Sequence, residues 1–218
     1  MKTGSSPVPD HGSARGGERR GPAWLALLPA TVAALATSLA LMVVTMGIRP
    51  DLGRALSGLE SVKLAACAVL ALCAIGVCRS SLRRGADGLG LGLVLALPAM
   101  AVFAAPAWLE FTLPSGDRPT VPLTIGLQSF GAIVALALPA LGLIIVAMRR
   151  ARPESPAFAG LAAGLLAGGV GSLAYAFHCT GDNAMMISFW YPAAIASVAV
   201  AGLAAGRLWL SAPDQRRR

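Results

Sequence analysis

The sequence predicts an all-α fold, a six-helix transmembrane bundle with both termini in the cytoplasm, and three observations carry that prediction. Of 218 residues, 56% are hydrophobic and only 13% charged, whereas a soluble domain sits near 45–50% and about 25%. The apolar residues fall in six long runs, each close to the roughly 20 residues that cross a bilayer as a helix. Lysine and arginine concentrate in alternate connections: fourteen in the N-terminal arm, second loop, fourth loop and tail, three (Arg49, Arg54, Arg118) in the other loops, with Lys63 completing the eighteen. This asymmetry sets orientation in a membrane chain, and an even number of spans agrees with it. A β-barrel would need polar and apolar residues to alternate in strands of about ten, and no such alternation is present. The composition also excludes whole-chain disorder and a disulfide-stapled secreted module, because four cysteines in 218 residues is ordinary usage.

The elements follow in order. Residues 1–23 are rich in Gly, Ser, Pro and Arg with almost no apolar residue, so they cannot offset the entropy of ordering and read as a disordered, basic cytoplasmic arm. No small-residue cleavage pattern follows them, and a removable signal peptide is not expected. The membrane domain covers residues 24–210, with spans at about 24–47, 61–78, 88–108, 121–148, 157–177 and 184–206. Lys63, at the start of the second span, is expected to lift its ammonium to the nearer interface along its apolar stem. Pro29, Pro98, Pro139 and Pro192 fall inside spans and read as kinks, which membrane helices tolerate when a neighbour satisfies the freed carbonyl. Residues 211–218 form a basic cytoplasmic tail attracted to anionic headgroups. The net charge of +8, which in a soluble chain suggests nucleic acid, is therefore assigned to topology, and no direct nucleic-acid partner is expected.

Gly160, Gly164, Gly168 and Ser172 recur at four-residue spacing along the fifth span. Small residues on one face let helix backbones approach closely. They serve packing within the bundle, with Gly202 and Gly206 as the internal partner, or else a homodimer seam. The main polar feature is the stretch from Tyr175 to Asn183 at the outer end of that span. His178, Cys179 and Asp182 carry metal-capable or proton-responsive groups, but one helix end supplies too few ligands for a closed site, so His178 and Cys179 are weak metal candidates. Cys67, Cys73 and Cys78 all lie along the second span without C-x-x-C spacing and read as core residues. No acidic residue sits at mid-membrane to mark an ion path. No nucleophile with a partner base, phosphate loop or dinucleotide fingerprint is present. Neither catalysis nor a cofactor is expected.

Several of these residues together carry a resemblance. The chain has Ile48-Arg49-Pro50-Asp51-Leu52 after the first span, Lys63 entering the second, and Ala174 to Cys179 with Asp182 ending the fifth. Trp190-Tyr191 opens the sixth. In these features, over about residues 40–210, it resembles the NrsF-type inner-membrane anti-sigma factors of bacteria. The resemblance implies a multi-pass protein of the bacterial inner membrane whose cytoplasmic N-terminal segment holds an extracytoplasmic-function sigma factor inactive until an envelope, metal or redox stress releases it. It also implies a pair of sensing cysteines near the outer face. The second corresponds to Cys179, but the first falls at Ser129, which cannot form a disulfide and is a poorer ligand for a soft metal. The arm begins Met1-Lys2-Thr3 as in many members, then lacks their short amphipathic pattern. A transporter subunit, suggested by the prolines and glycines, and a structural or assembly protein without a sensing role are the competing classes.

Overall fold

A computed structural model of the chain describes residues 23–50, 60–82, 122–180 and 186–211, together with Gly53, Ala101, Phe103, Ala104, Trp108 and Thr112. Regular structure among the described residues is helical. A short 3-10 turn, Ala23–Ala26, leads into α1, Leu27–Thr45. Helix α2 is Glu60–Ser81, α3 is Leu123–Arg149 and α4 is Pro156–Ala176. A π turn, Met186–Trp190, opens directly into α5, Tyr191–Trp209. Among the described residues, five helices are long and apolar enough to cross a membrane, where the composition led us to expect six. The third expected span, 88–108, lies outside the described residues except for Ala101, Phe103, Ala104 and Trp108. Of these four, Phe103 is buried, in the core beneath Cys179.

Helix α4 packs against all four of the other helices, and its sequence explains why it can. Alanine and glycine occupy most of its length, and Ala159, Ala162, Ala163, Ala167 and Ala174 are fully buried. A side chain on Gly164 would meet the Val198 carbonyl and the Ala199 Cα of α5, at 2.5 and 2.6 Å. Gly160 lies as close to Gly202 and Gly206 of the same helix, and Gly168 faces Ile195. The two helices therefore run antiparallel with their backbones nearly touching. Ser172, the fourth member of the stripe, has turned toward α2, where it meets the Cys67 thiol. At 3.6 residues per turn a four-residue spacing drifts by about 40° per step, so twelve residues carry the line about a third of the way round the helix. Because α5 of the same chain covers the first three members, a second copy of the protein would have to use another surface.

The prolines divide into two kinds. Pro29 lies in the first turn of α1, just after the 3-10 turn, and Pro156 at the start of α4, the end of a helix where proline is best tolerated. Pro139 lies inside α3. Beside it the buried Ser38 hydroxyl of α1 donates to the Leu136 carbonyl at 2.9 Å, bringing a side-chain donor to the backbone that proline disturbs. Pro192 is the second residue after the π turn, and the wider turn relieves the clash of its ring with the carbonyl one turn earlier. The packed interior has two parts. One, around Ala140, Ile144, Met148 and Leu166, lies toward the Arg149 end; the other, around Ile133, Tyr175, Cys179 and Tyr191, lies toward the Cys179 end. Outward-facing positions are apolar, with Val32, Val44 and Leu72 strongly exposed.

Candidate functional site

The C-terminal end of α4 organises the candidate site. After Ala176 the backbone N–H groups of His178 and Cys179 both donate to the Tyr175 carbonyl, at 2.9 and 3.0 Å, which turns the chain. Carbonyls at such an end have no intrahelical donor and carry the negative pole of the helix dipole. Here their donors arrive from elsewhere. The Arg49 backbone N–H donates to the Phe177 carbonyl at 3.3 Å. Its guanidinium Nη1 donates to the Cys179 carbonyl at 3.3 Å, and the Lys63 ammonium donates to that same oxygen at 3.1 Å. Arg49 is 4% exposed and Lys63 fully buried. Lys63 thus does not rise to an interface as its position in the sequence suggests: the helix end offers its ammonium an acceptor inside the protein.

Gly47 makes the approach of this segment feasible. Its φ of 78° is the left-handed conformation that glycine adopts without steric cost. It ends α1 with its N–H on the Met42 carbonyl at 3.1 Å. Its own carbonyl lies 3.0 Å from His178 Nδ1. A carbonyl can only accept, so Nδ1 carries the proton of this contact, and of the two neutral tautomers this is the one with its lone pair on Nε2.

Beneath this layer, the Tyr175 hydroxyl and Ser129 Oγ lie 2.9 Å apart, both residues being buried, and the Cys179 thiol faces the same hydroxyl. The Tyr175 ring stands between those of His178 and Tyr191, with centroids 5.9 and 6.1 Å away. One turn before Ser129, a side chain at Gly126 would overlap the Trp190 indole, so Trp190 is seated on bare α3 backbone. The structure therefore gathers Arg49, Lys63, Ser129, Tyr175, His178, Cys179, Trp190 and Tyr191. Pro50 is exposed nearby in sequence, Asp51 and Asp182 lie outside the described residues, and the glycine stripe is part of the α4–α5 seam. None of the four cysteines is in a disulfide. Among the described residues, no three His, Cys, Asp or Glu side chains come together as metal ligands.

Two features escaped the sequence reading. The Ser129 to Tyr175 bond joins residues 46 apart, and the Arg49 contact joins residues 130 apart. No local periodicity encodes either pairing. The only signal was the coexistence of a lysine inside an apolar span and an arginine, Arg49, just beyond the preceding span at the sparsely charged end.

The family described as "NrsF: Negative regulator of sigma F" matches residues 14–211. A "Probable anti-sigma-F factor NrsF" of Azospira oryzae is 29% identical over 172 residues, covering 78% of this chain and 81% of the relative. An "Anti-sigma-F factor NrsF" of Caulobacter vibrioides is 37% identical over 78 residues, 36% of each chain. No solved structure matches.

Proposed function

The chain belongs to the NrsF family, and from that premise we propose that it is a membrane-held negative regulator of a sigma factor, releasing its partner when a stress reaches the Cys179 end. The match over residues 14–211 carries the reading. It takes in nearly the whole chain, including part of the basic arm. The role is regulatory and not enzymatic. In this reading the sigma factor is of the extracytoplasmic-function type and the arm, residues 1–23, holds it. The protein lies in the bacterial inner membrane with six spans, residues 88–108 supplying the third, both termini cytoplasmic and the tail, residues 211–218, on anionic headgroups. The lysine and arginine distribution supports that orientation, and it puts the Cys179 end outside.

His178, Cys179, Asp182 and Ser129 are the sensing residues we propose. Support comes from the Nε2 lone pair that the Gly47 contact leaves available and from the thiol one residue on. A soft metal ion or an oxidant would act on these groups. Ser129 makes the response one of a single thiol, that of Cys179, with the Ser129 hydroxyl hydrogen-bonded to Tyr175. Deleting the gene is expected to raise the transcripts of one sigma-factor regulon, and restoring the full chain to lower them again. Unchanged transcripts under every stress tried, with the protein shown to be made in the parent strain, would contradict the proposal.

A further inference from the structure

We infer that Arg49 and Lys63 are positioning residues for Cys179, and that through them the state of Cys179 is passed to α1, the helix continuous with the arm. The inference rests on the sigma-factor reading only for its biological meaning; the coupling itself is a property of this chain. One backbone oxygen, that of Cys179, accepts from two cationic side chains that come from different elements, Arg49 beyond the end of α1 and Lys63 from the first turns of α2. A carbonyl oxygen has two lone pairs, so these two donors fill it, and hydrogen bonds from charged donors are the stronger class. Two more contacts reinforce the same junction: the Arg49 N–H on the Phe177 carbonyl and His178 Nδ1–H on the Gly47 carbonyl. Residues 47–49 are thus tied to residues 177–179 at three points.

The opposite side of Cys179 is its thiol, directed at Tyr175 in the packed interior and 8% exposed as a residue. Any group added to that sulfur must displace the residue, because close-packed surroundings leave no room for it. Displacing the residue moves the carbonyl and breaks the contacts of Arg49 and Lys63 together. The hold of α4 on the end of α1 is then weakened, with the contacts at Phe177 and His178 remaining. Near its middle α1 remains held to α3 through Ser38, so freedom gained at the Cys179 end becomes a change in how α1 leans at its other end, where the arm begins.

The test uses the full chain in nanodiscs of phosphatidylethanolamine and phosphatidylglycerol. Cys179 is alkylated with N-ethylmaleimide until mass spectrometry finds it fully modified and Cys67, Cys73 and Cys78 unmodified, and amide hydrogen exchange is then followed. Peptides covering residues 46–50 are expected to exchange about tenfold faster, as for the loss of one hydrogen bond to a charged donor, while residues 140–148 keep their rate. Unchanged exchange over 46–50 with Cys179 fully modified would overturn the inference. In the unmodified protein, Lys63→Met is expected to raise the alkylation rate of Cys179 about tenfold on the same grounds, and Lys63→Arg to restore it. Equal rates in all three proteins would also overturn it. If Lys63→Met does not accumulate, the exchange measurement on the native chain decides alone. No sigma factor takes part in either readout, so a failure here is distinct from a failure to find the partner.

Discussion

The hydroxyl pair of Ser129 and Tyr175 shows how a single residue sets the character of the site. Both oxygens are buried, 2.9 Å apart, on helices that meet nowhere near each other in sequence. A buried hydroxyl deprived of its partner loses a hydrogen bond and keeps its desolvation cost. Tyr175→Phe therefore should lower stability by about 1 kcal/mol, read as an earlier thermal transition in detergent. Ser129→Ala should cost less, because the Tyr175 hydroxyl can still turn to the Cys179 thiol. Equal and negligible losses would show that the pair is not a stabilising contact. The sequence singled out both residues, Ser129 as a departure from a cysteine and Tyr175 as part of a motif. It could not say that they meet, since a hydroxyl chooses its partner by tertiary packing.

Among the elements, α4 is the one whose sequence most directly prescribes its place. Only a helix of glycine and alanine can let four neighbours approach it at once, and the close backbone contact between Gly160 or Gly164 and α5 follows from that. Gly164→Ala puts a carbon against the Val198 carbonyl and the Ala199 Cα, backbone atoms that cannot swing aside. It should destabilise the protein by about 1–3 kcal/mol, as overpacking does. Gly142→Ala in α3 meets nothing within 4 Å and should leave stability unchanged or raise it by up to about 1 kcal/mol. Thermal unfolding of the two variants side by side checks the contrast, and an equal loss from both would contradict it. Helix positions were legible because hydropathy runs record where the chain is apolar. The π turn before Pro192 was not, since it arises from how a proline ring meets the preceding carbonyls and not from any composition. Nor was the burial of Lys63 legible: a charge at the edge of an apolar run reads as interfacial until the carbonyl that receives it is known.

For the whole molecule, the two ends differ in chemistry. Arg79, Arg149 and Arg207 stand in the last turns of three helices and share one end with Arg152. At the other end Arg49 and Lys63 are drawn into the protein. Reporter fusions at Arg84, at Arg118 and after Arg218 should report cytoplasm, outside and cytoplasm in turn, the pattern of six spans. A cytoplasmic report at Arg118 would remove residues 88–108 from the membrane. The central claim, that the protein restrains a sigma factor from the membrane, is tested most directly by purifying the tagged full chain from the membranes of its own cells. The account predicts that a sigma factor comes with it, that removing residues 1–23 loses it, and that applying an inducing stress before lysis reduces it. Intact tagged protein recovered from unstressed membranes without any sigma factor would contradict the account.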